Sequence, residues 1–399
     1  MKNNNLRKLE GDIISNPICQ FATIKDSYLV GGYIRDALTG KHSKDLDFII
    51  PRKYQKSIEI LSGYFKGTIF SFKKFHITRI ALEDGTTVDF TLYDSVYEDL
   101  KRRDFTINAI AFNPNRGFFD PFKGIEDLKN RTIRLISREN IRDDPVRIIR
   151  AYRFMAQLRA KLTTETLEAI NQYKDGLLHC PVERITLEFF KLLESEDPLD
   201  ALMELVNTSV ISLIIPYNIN QLEQLRNNLS YVSEKIKASH KLLPDELCKE
   251  IGQSLTLRGL LYLCTMMVLS NDREGAHLTF SNLVRKRVEA FVRNIKNPCL
   301  SGSKGLDDLY DCFTALEPAV IERIIYEGRF DLIPQYRRYE SIKKAPLLNG
   351  DEILDAINLQ KGPQVGQMKR LVCREVFANR IRSKTEAIKY LQALHGNSQ

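Results

Sequence analysis

The stretch Tyr28–Ile50, "YLVGGYIRDALTGKHSKDLDFII", decides how this chain is read. "YLV" is a short apolar run that breaks at Gly31-Gly32. "YIRDAL" then has helical spacing, and Gly40 is placed to end that helix, because glycine tolerates the left-handed backbone of a C-cap. "DLDFII" opens a second apolar run with two acids. On a strand, Asp45 and Asp47 are two residues apart and point to the same face. Two carboxylates at the mouth of a core strand repel each other and are costly to bury unless positive charge lies between them. A lone D-x-D is more often a solvated edge, but the following "FII" calls for burial. Two Mg2+ ions would supply the charge, since hard cations take oxygen ligands and leave positions open for phosphate oxygens. Asp89, in "TTVDFTLY", is the natural third carboxylate of a catalytic set with Asp45 and Asp47.

At 399 residues the chain exceeds the ~250 to 300 residues over which one core usually grows, so more than one domain is expected. Its 43% hydrophobic and 28% charged content describes a soluble globular protein, not a disordered tail. The longest apolar run, in "RGLLYLCTMMVLS", falls short of the ~20 residues a bilayer needs and reads as a buried helix. No membrane association is expected. The opening "MKNNNLRKLEGDIISN" lacks the apolar core of a signal peptide, which leads to the expectation of a cytoplasmic protein. Cys19, Cys180, Cys248, Cys264, Cys299, Cys312 and Cys373 show no C-x-x-C and no close Cys/His pairing, which argues against a zinc site or a disulfide framework. The net charge of +8 suits a polyanionic partner. From Ser281 to Gln399 there are 20 Lys+Arg against 14 Asp+Glu, so most of the excess lies there. The sequence carries no signal for an oligomeric state.

Up to about Arg134 the text is β-rich: "SYLV", "LDFII", "KKFHITRIAL", "TTVDFTLY" and "TINAIAFN" carry β-branched and aromatic residues between Gly, Asn and Asp turns. From about Asp143 the spacing turns helical, as in "PVRIIRAYRFMAQL" and "VERITLEFFKLLES". Softer breaks fall near Pro216, Pro298 and "QKGPQVG".

Within the β-rich part, Gly31 and Gly32 bring backbone N–H groups and a helix start close to where a phosphate could sit, with Arg35 one turn on. Alone, a Gly-Gly turn is as readily plain geometry. In "EDLKRRDFTINAIAF", Arg102 and Arg103 offer cations for phosphate, while Asp104 and Asn108 offer partners for a sugar hydroxyl. A capped turn with a surface ion pair is the structural alternative. In "RDDPVRIIRAYRF", Asp144 reads as an N-cap, Pro145 as the first helical residue, and Asp143 and Arg147 as a pair four apart. Asp144 and Arg147 can also share a face, presenting an acceptor and a planar fork to a base edge. Arg150 and Arg153 continue that helix, either toward the nucleotide or as a solvated basic stripe.

Taken in order, "LVGGYIRD" with "DLD", "RRDFTINA", "FFDPFKG", "DDPVRIIRAYRF" and "VERITLEFFKLL" resemble the five motifs of the class II tRNA nucleotidyltransferases. This CCA-adding family also includes the bacterial poly(A) polymerases. The likeness spans Tyr28 to Leu193, and "LLNGDEILDAINLQKGPQVGQM" faintly resembles the family's C-terminal tail. It implies an α+β fold with a nucleotidyltransferase-type mixed β-sheet head at 1–135 and an all-helical remainder: neck at 136–200, body at 201–310 and tail at 311–399. It further implies CTP or ATP as donor, a tRNA 3′ end as acceptor and a two-metal Mg2+ site at Asp45 and Asp47. The nucleotide would meet Gly31, Gly32, Arg35, Arg103, Asp104, Asn108, Asp143, Asp144, Arg147, Arg150 and Arg153, with Asp104 at the ribose and Asp144 with Arg147 at the base. Relatives usually carry Glu where this chain has Asp143.

One departure bears on the product. Only four residues, Asp94 to Tyr97, separate "TLY" from "EDLKRRD", where most CCA-adding relatives carry a longer segment, often after an Arg in place of Tyr93. A pocket that switches from C to A needs mobile walls, and four residues have little reach. The shortened segment points to CC addition. Full CCA or A addition, poly(A) synthesis, small-molecule nucleotidyl transfer and noncatalytic RNA binding are the alternatives. Mixed basic and aromatic segments, "LVRKRVEAFVRNIKN", "QYRRYESIKK" and "MKRLVCREVFANRIRSK", could follow an RNA backbone, although each alone reads as an exposed helix face.

Overall fold

The computed structural model describes residues 11, 26–54, 67–72, 77–270, 276–302 and 305–396. Cys19, most of the opening stretch read for a leader, and residues 73–76 of the "KKFHITRIAL" strand lie outside them. The chain divides into two compact units, Met1–Ile214 and Ile215–Gln399.

Among the described residues of the first unit, seven strands build one mixed sheet: β1 (Tyr28–Val30), β2 (Asp45–Pro51), β3 (Gly67–Phe72), β4 (Ile77–Leu82), β5 (Thr87–Tyr93), β6 (Ala111–Asn113) and β7 (Gly117–Phe119). Their order is β3-β4-β5-β2-β1-β6-β7, with β2 and β5 parallel and the other neighbours antiparallel. Alternation sorts the side chains as the strand period requires. Leu46, Phe48 and Ile50 pack with Val88, Phe90 and Ile80 on one face, beneath Ile34 and Leu38 of helix α1 (Gly32–Leu38). Asp45, Asp47 and Ile49 turn to the other face, where Ile49 joins Tyr28, Tyr93 and Leu100 of α2 (Val96–Lys101). That helix covers only one end of the face, and the acids lie on the remainder.

"TINAIAFN" is not one strand. Thr106–Asn108 forms a single 3-10 turn, and β6 starts at Ala111. Side-chain bonds explain the break: Thr106 Oγ1 donates to Asp127 at 2.7 Å, and Asn108 Nδ2 to Asp104 at 2.9 Å. Both hold the segment out of a ladder. Helix α3 (Gly124–Lys129) follows, its first N–H groups donating to Asp120 at 2.7 and 2.9 Å. Residues 138–207 are mostly helical: α4 (Arg138–Asp143), α5 (Val146–Leu158), α6 (Thr164–Tyr173) and α7 (Val182–Leu193) fall in the stretch expected as the neck, and α8 (Leu199–Asn207) runs past its expected end at 200. Helix α5 packs along α7, and the short parallel pair Thr132–Ile133 with Lys161–Leu162 ties the chain after α3 to the neck.

Among the described residues of the second unit, the elements are helical apart from a small hairpin at Glu250–Gly252 and Leu255–Thr256. It includes α9 (Ile219–Ser239), α10 (Leu257–Leu269), α11 (Asn282–Arg293), α12 (Leu306–Leu316), α13 (Val320–Glu327), α14 (Ile333–Lys344) and α15 (Pro363–Phe377). The apolar "RGLLYLCTMMVL" is α10, buried almost end to end. Cys299 and Cys312 are joined, with Cα atoms 5.6 Å apart. The spacing of cysteines along the chain did not reveal this pair, because a disulfide depends on how near two Cα atoms come in the fold and not on their separation in sequence. No helix among the described residues is long and apolar enough to cross a membrane.

Candidate active site

A cleft of about 1100 Å³ opens in the first unit, lined by Asp45 and Asp47 of β2 and by Asp144, Arg147 and Arg150 around α5. Gly31 passes directly under it in a left-handed backbone, φ 78°, and its N–H donates to Ile110 O at 3.3 Å. A Cβ there would lie 2.8 Å from Arg103 Nη1 and 3.3 Å from Asp47 Oδ2, so glycine lets the backbone reach the acids.

Asp45 is exposed, and its Oδ1 accepts from the Thr87 hydroxyl. Burial pushes the Asp47 carboxyl up, and Asp89 and Asp45 add to the rise, while Arg103 and Arg79 oppose it. Asp89 stands opposite Asp47 in the β2–β5 register. It does not line the cleft. Both of its oxygens are bound by Arg79, Nε at 2.7 Å and Nη2 at 2.6 Å. Among the described residues no three His, Cys, Asp or Glu side chains gather as a ligand set. Asp45, Asp47 and Asp89 nonetheless share one sheet face as hard oxygen donors with mutual repulsion, which fits a divalent cation.

Arg103 is held by Asp99 at 3.0 and 3.1 Å and reaches the Asn108 carbonyl at 3.4 Å. Arg35 donates to Asn108 Oδ1 at 2.6 Å, and its guanidinium lies 4.8 Å from the Phe154 ring centre. Asp104 is 5% exposed, with Oδ1 accepting from Phe105 N–H and Asn108 Nδ2 and Oδ2 accepting from Arg150 at 2.7 Å. Burial works against its ionisation, but Arg150 and these hydrogen bonds outweigh it and hold the carboxyl down at about 2. Asp104 lines the cleft and, through Oδ2, braces Arg150.

Asp144 is not a side-chain N-cap. It closes α4, and Pro145 caps α5 without a side-chain bond, because Arg184 takes Asp144 Oδ2 at 2.8 Å while Arg147 lies 3.8 Å away. Asp143 does not pair with Arg147. It is bonded to Arg142 at 3.0 Å, its side chain is 64% exposed, and it does not line the cleft. The helix break at Asp144 turns it outward. Arg150 and Arg153 are no solvated stripe. Glu188 of α7 binds Arg153 at 2.6 Å and Arg150 at 3.6 Å, and burial brings Arg153 down to about 10 despite Glu188. Arg79, Arg184 and Glu188 were not singled out from the sequence. Only Glu188, an acid on the buried side of "ITLEFFKLL", left a readable signal there.

The description "Poly A polymerase head domain" matches residues 27–93 and 82–134, and "Probable RNA and SrmB-binding site of polymerase A" matches 161–221. A CC-adding tRNA nucleotidyltransferase of Synechocystis sp. is 27% identical over 391 residues, covering 92% of this chain and 93% of the relative. A CCA-adding enzyme of Levilactobacillus brevis is 29% identical, covering 86% and 87%. The solved Thermotoga maritima CCA-adding enzyme complexed with tRNA superposes with a TM-score of 0.75 at 20% identity, over 98% of each chain, and carries the likeness of fold. Residues 27–134 thus match the poly A polymerase head domain, the chain is similar over most of its length to tRNA nucleotidyltransferases, and it is an enzyme of nucleotidyltransferase type.

Proposed function

We propose that the protein is a metal-dependent tRNA 3′-terminal nucleotidyltransferase that adds cytidines from CTP in the cytoplasm, without a nucleic-acid template. One observation carries this reading: a single cleft is lined both by the paired acids of β2 and by the Asp144–Arg147–Arg184 group of the neck. The reaction is attack of the RNA 3′ hydroxyl on the α-phosphate of CTP, with release of pyrophosphate. Mg2+ held by Asp45 and Asp47 would neutralise phosphate charge and acidify the attacking hydroxyl. Arg35 and Arg103 face the phosphates beside Gly31 and Gly32. Asp144, steadied by Arg184, accepts from the cytosine amino group, and Arg147 donates to its neighbouring acceptors. The relatives' printed names support tRNA as acceptor.

CC addition is the finer reading. The link from β5 to α2 is only Asp94 and Ser95, with Arg52 on Asp94 at 3.2 Å and the Ser95 hydroxyl accepting from Glu98 N–H. Tyr93 OH is tied to the Asp26 carbonyl. Such a link has no slack for a lever. Full CCA addition is the second reading, favoured by the CCA-adding relative. Extension of tRNA lacking its 3′ end with CTP, then ATP, tests both. Two cytidines and no adenosine are expected, efficient A addition to a tRNA ending in CC would overturn the finer reading, and long A tracts or no incorporation would overturn the broader one.

A further inference from the structure

Resting on the reading above, we propose that Arg79 is a cationic placeholder for the metal: its fork occupies Asp89 in the free enzyme and must leave it when a divalent cation loads. Three observations meet here. Asp89 lies directly opposite Asp47 on β5, and Arg79 directly opposite Asp89 on β4, so all three side chains share one row and one face of the sheet. The fork binds both carboxylate oxygens, at 2.7 and 2.6 Å, and so occupies the chelating edge of the carboxylate for which a cation would compete. Its side chain is 45% exposed against 17% for Asp89, so the arginine can swing into solvent while the aspartate stays.

The charge arithmetic gives the arrangement its purpose. Three carboxylates on one face repel when no cation is present, and for Asp47 the largest opposing charge is Arg103, which is itself held by Asp99. Arg79 feels Asp89 most, then Asp45 and Asp47, so it serves as the cluster's counter-ion at its outer end. An arriving cation makes that positive charge redundant and competes for the same oxygens. Arg79 is therefore a positioning residue that makes coordination by Asp89 conditional on metal. A plain structural brace predicts the opposite behaviour, since removing it would leave Asp89 disordered and weaken metal binding.

The test is Mn2+ binding to the full chain, without nucleotide or RNA, followed by electron paramagnetic resonance of the free ion. Arg79→Gln should tighten binding by roughly three- to tenfold, the range an ion pair of this exposure sets. Arg79→Lys, which keeps charge but loses the fork, should fall between the two. In a chain that also carries Asp89→Asn, the effect of Arg79→Gln should shrink to less than about twofold, because most of it runs through Asp89 and only the weaker attraction to Asp45 and Asp47 is left. Weaker Mn2+ binding in Arg79→Gln, or tightening that persists undiminished with Asp89→Asn, would overturn the proposal. Melting in EDTA confirms that each variant is folded. CTP incorporation by the unaltered protein is measured separately, so failure of the nucleotidyltransferase reading is told apart from failure of this one.

Discussion

At the residue scale the site depends on close approach and on internal bracing. Gly31 and Gly40 both have positive φ, 78° and 77°, but only Gly31 has neighbours that a Cβ would meet. Gly31→Ala should therefore cost about 1 to 2 kcal/mol of stability from backbone strain. It should also cost about 100-fold in CTP incorporation, because Arg103 and Asp47 must shift. Gly40→Ala carries only the strain, about 1 kcal/mol, and should keep its turnover. Urea melts and initial rates on the two variants separate the effects. Asp104 gives a pH signature. Its folded value of about 2 lies below the ordinary carboxylate value near 3.9, so its contribution is present above pH ~4 and is lost as pH falls through about 2. That contribution is roughly 2 kcal/mol. The stability gap between the unaltered protein and Asp104→Asn should be flat from pH ~8 to ~5 and shrink below ~4. A gap that widens in acid would contradict the brace.

At the scale of elements, periodicity did much of the work. The alternation of "DLDFII" set Asp45 and Asp47 on one face and Leu46, Phe48 and Ile50 on the other, and the glycines bounded α1. Register is what periodicity leaves out. Arg79 meets Asp89 only because β4 pairs with β5 at that offset, and no local pattern encodes the offset. The neck shows the same limit. Asp143 and Arg147 have the spacing of a helical pair, but the helix breaks between them, and Asp144 instead meets Arg184, forty residues on, where α5 packs on α7. This pairing yields a prediction. Arg184 is half exposed, so Arg184→Ala should leave the melting temperature nearly unchanged while freeing Asp144 to rotate. Preference for CTP over UTP should fall about tenfold, within the ~1 to 3 kcal/mol that a well-placed base contact supplies. Competition of the two triphosphates for incorporation measures it, and an unchanged ratio would remove Arg184 from the base-reading group.

Over the whole molecule, charge was legible as an amount and less so as a surface. The excess of bases after Ser281 was plain, but burial and pairing decide which of them face outward. Arg287 lies inside the second unit, its Nε 2.5 Å from the fully buried Glu322, a partner thirty-five residues away. Arg374 is bound by Asp311 and Asp307, Arg380 by Asp307 and Glu375, and Lys343 by Glu317. Arg285, Lys286 and Arg293 of α11 remain exposed. If the protein holds tRNA through its phosphates, these bases should carry a sequence-independent, salt-sensitive share of the affinity. Reversing Arg285 and Lys286 to Glu should weaken tRNA binding by at least about tenfold at low salt. It should also lower the slope of log Kd against log salt by about one for each phosphate no longer neutralised. KM for CTP should not move, because neither residue lines the cleft. Filter binding across a salt series with a tRNA lacking its 3′ end reads the slope, and CTP titration at saturating tRNA reads the KM. Arg287→Glu serves as the contrast: it places a second carboxylate against buried Glu322, so it should lower stability by about 3 kcal/mol or more. A parallel fall of slope in both variants would mean that the first had also damaged the fold, whereas a slope reduced only with Arg285 and Lys286 assigns this face of α11 to the RNA.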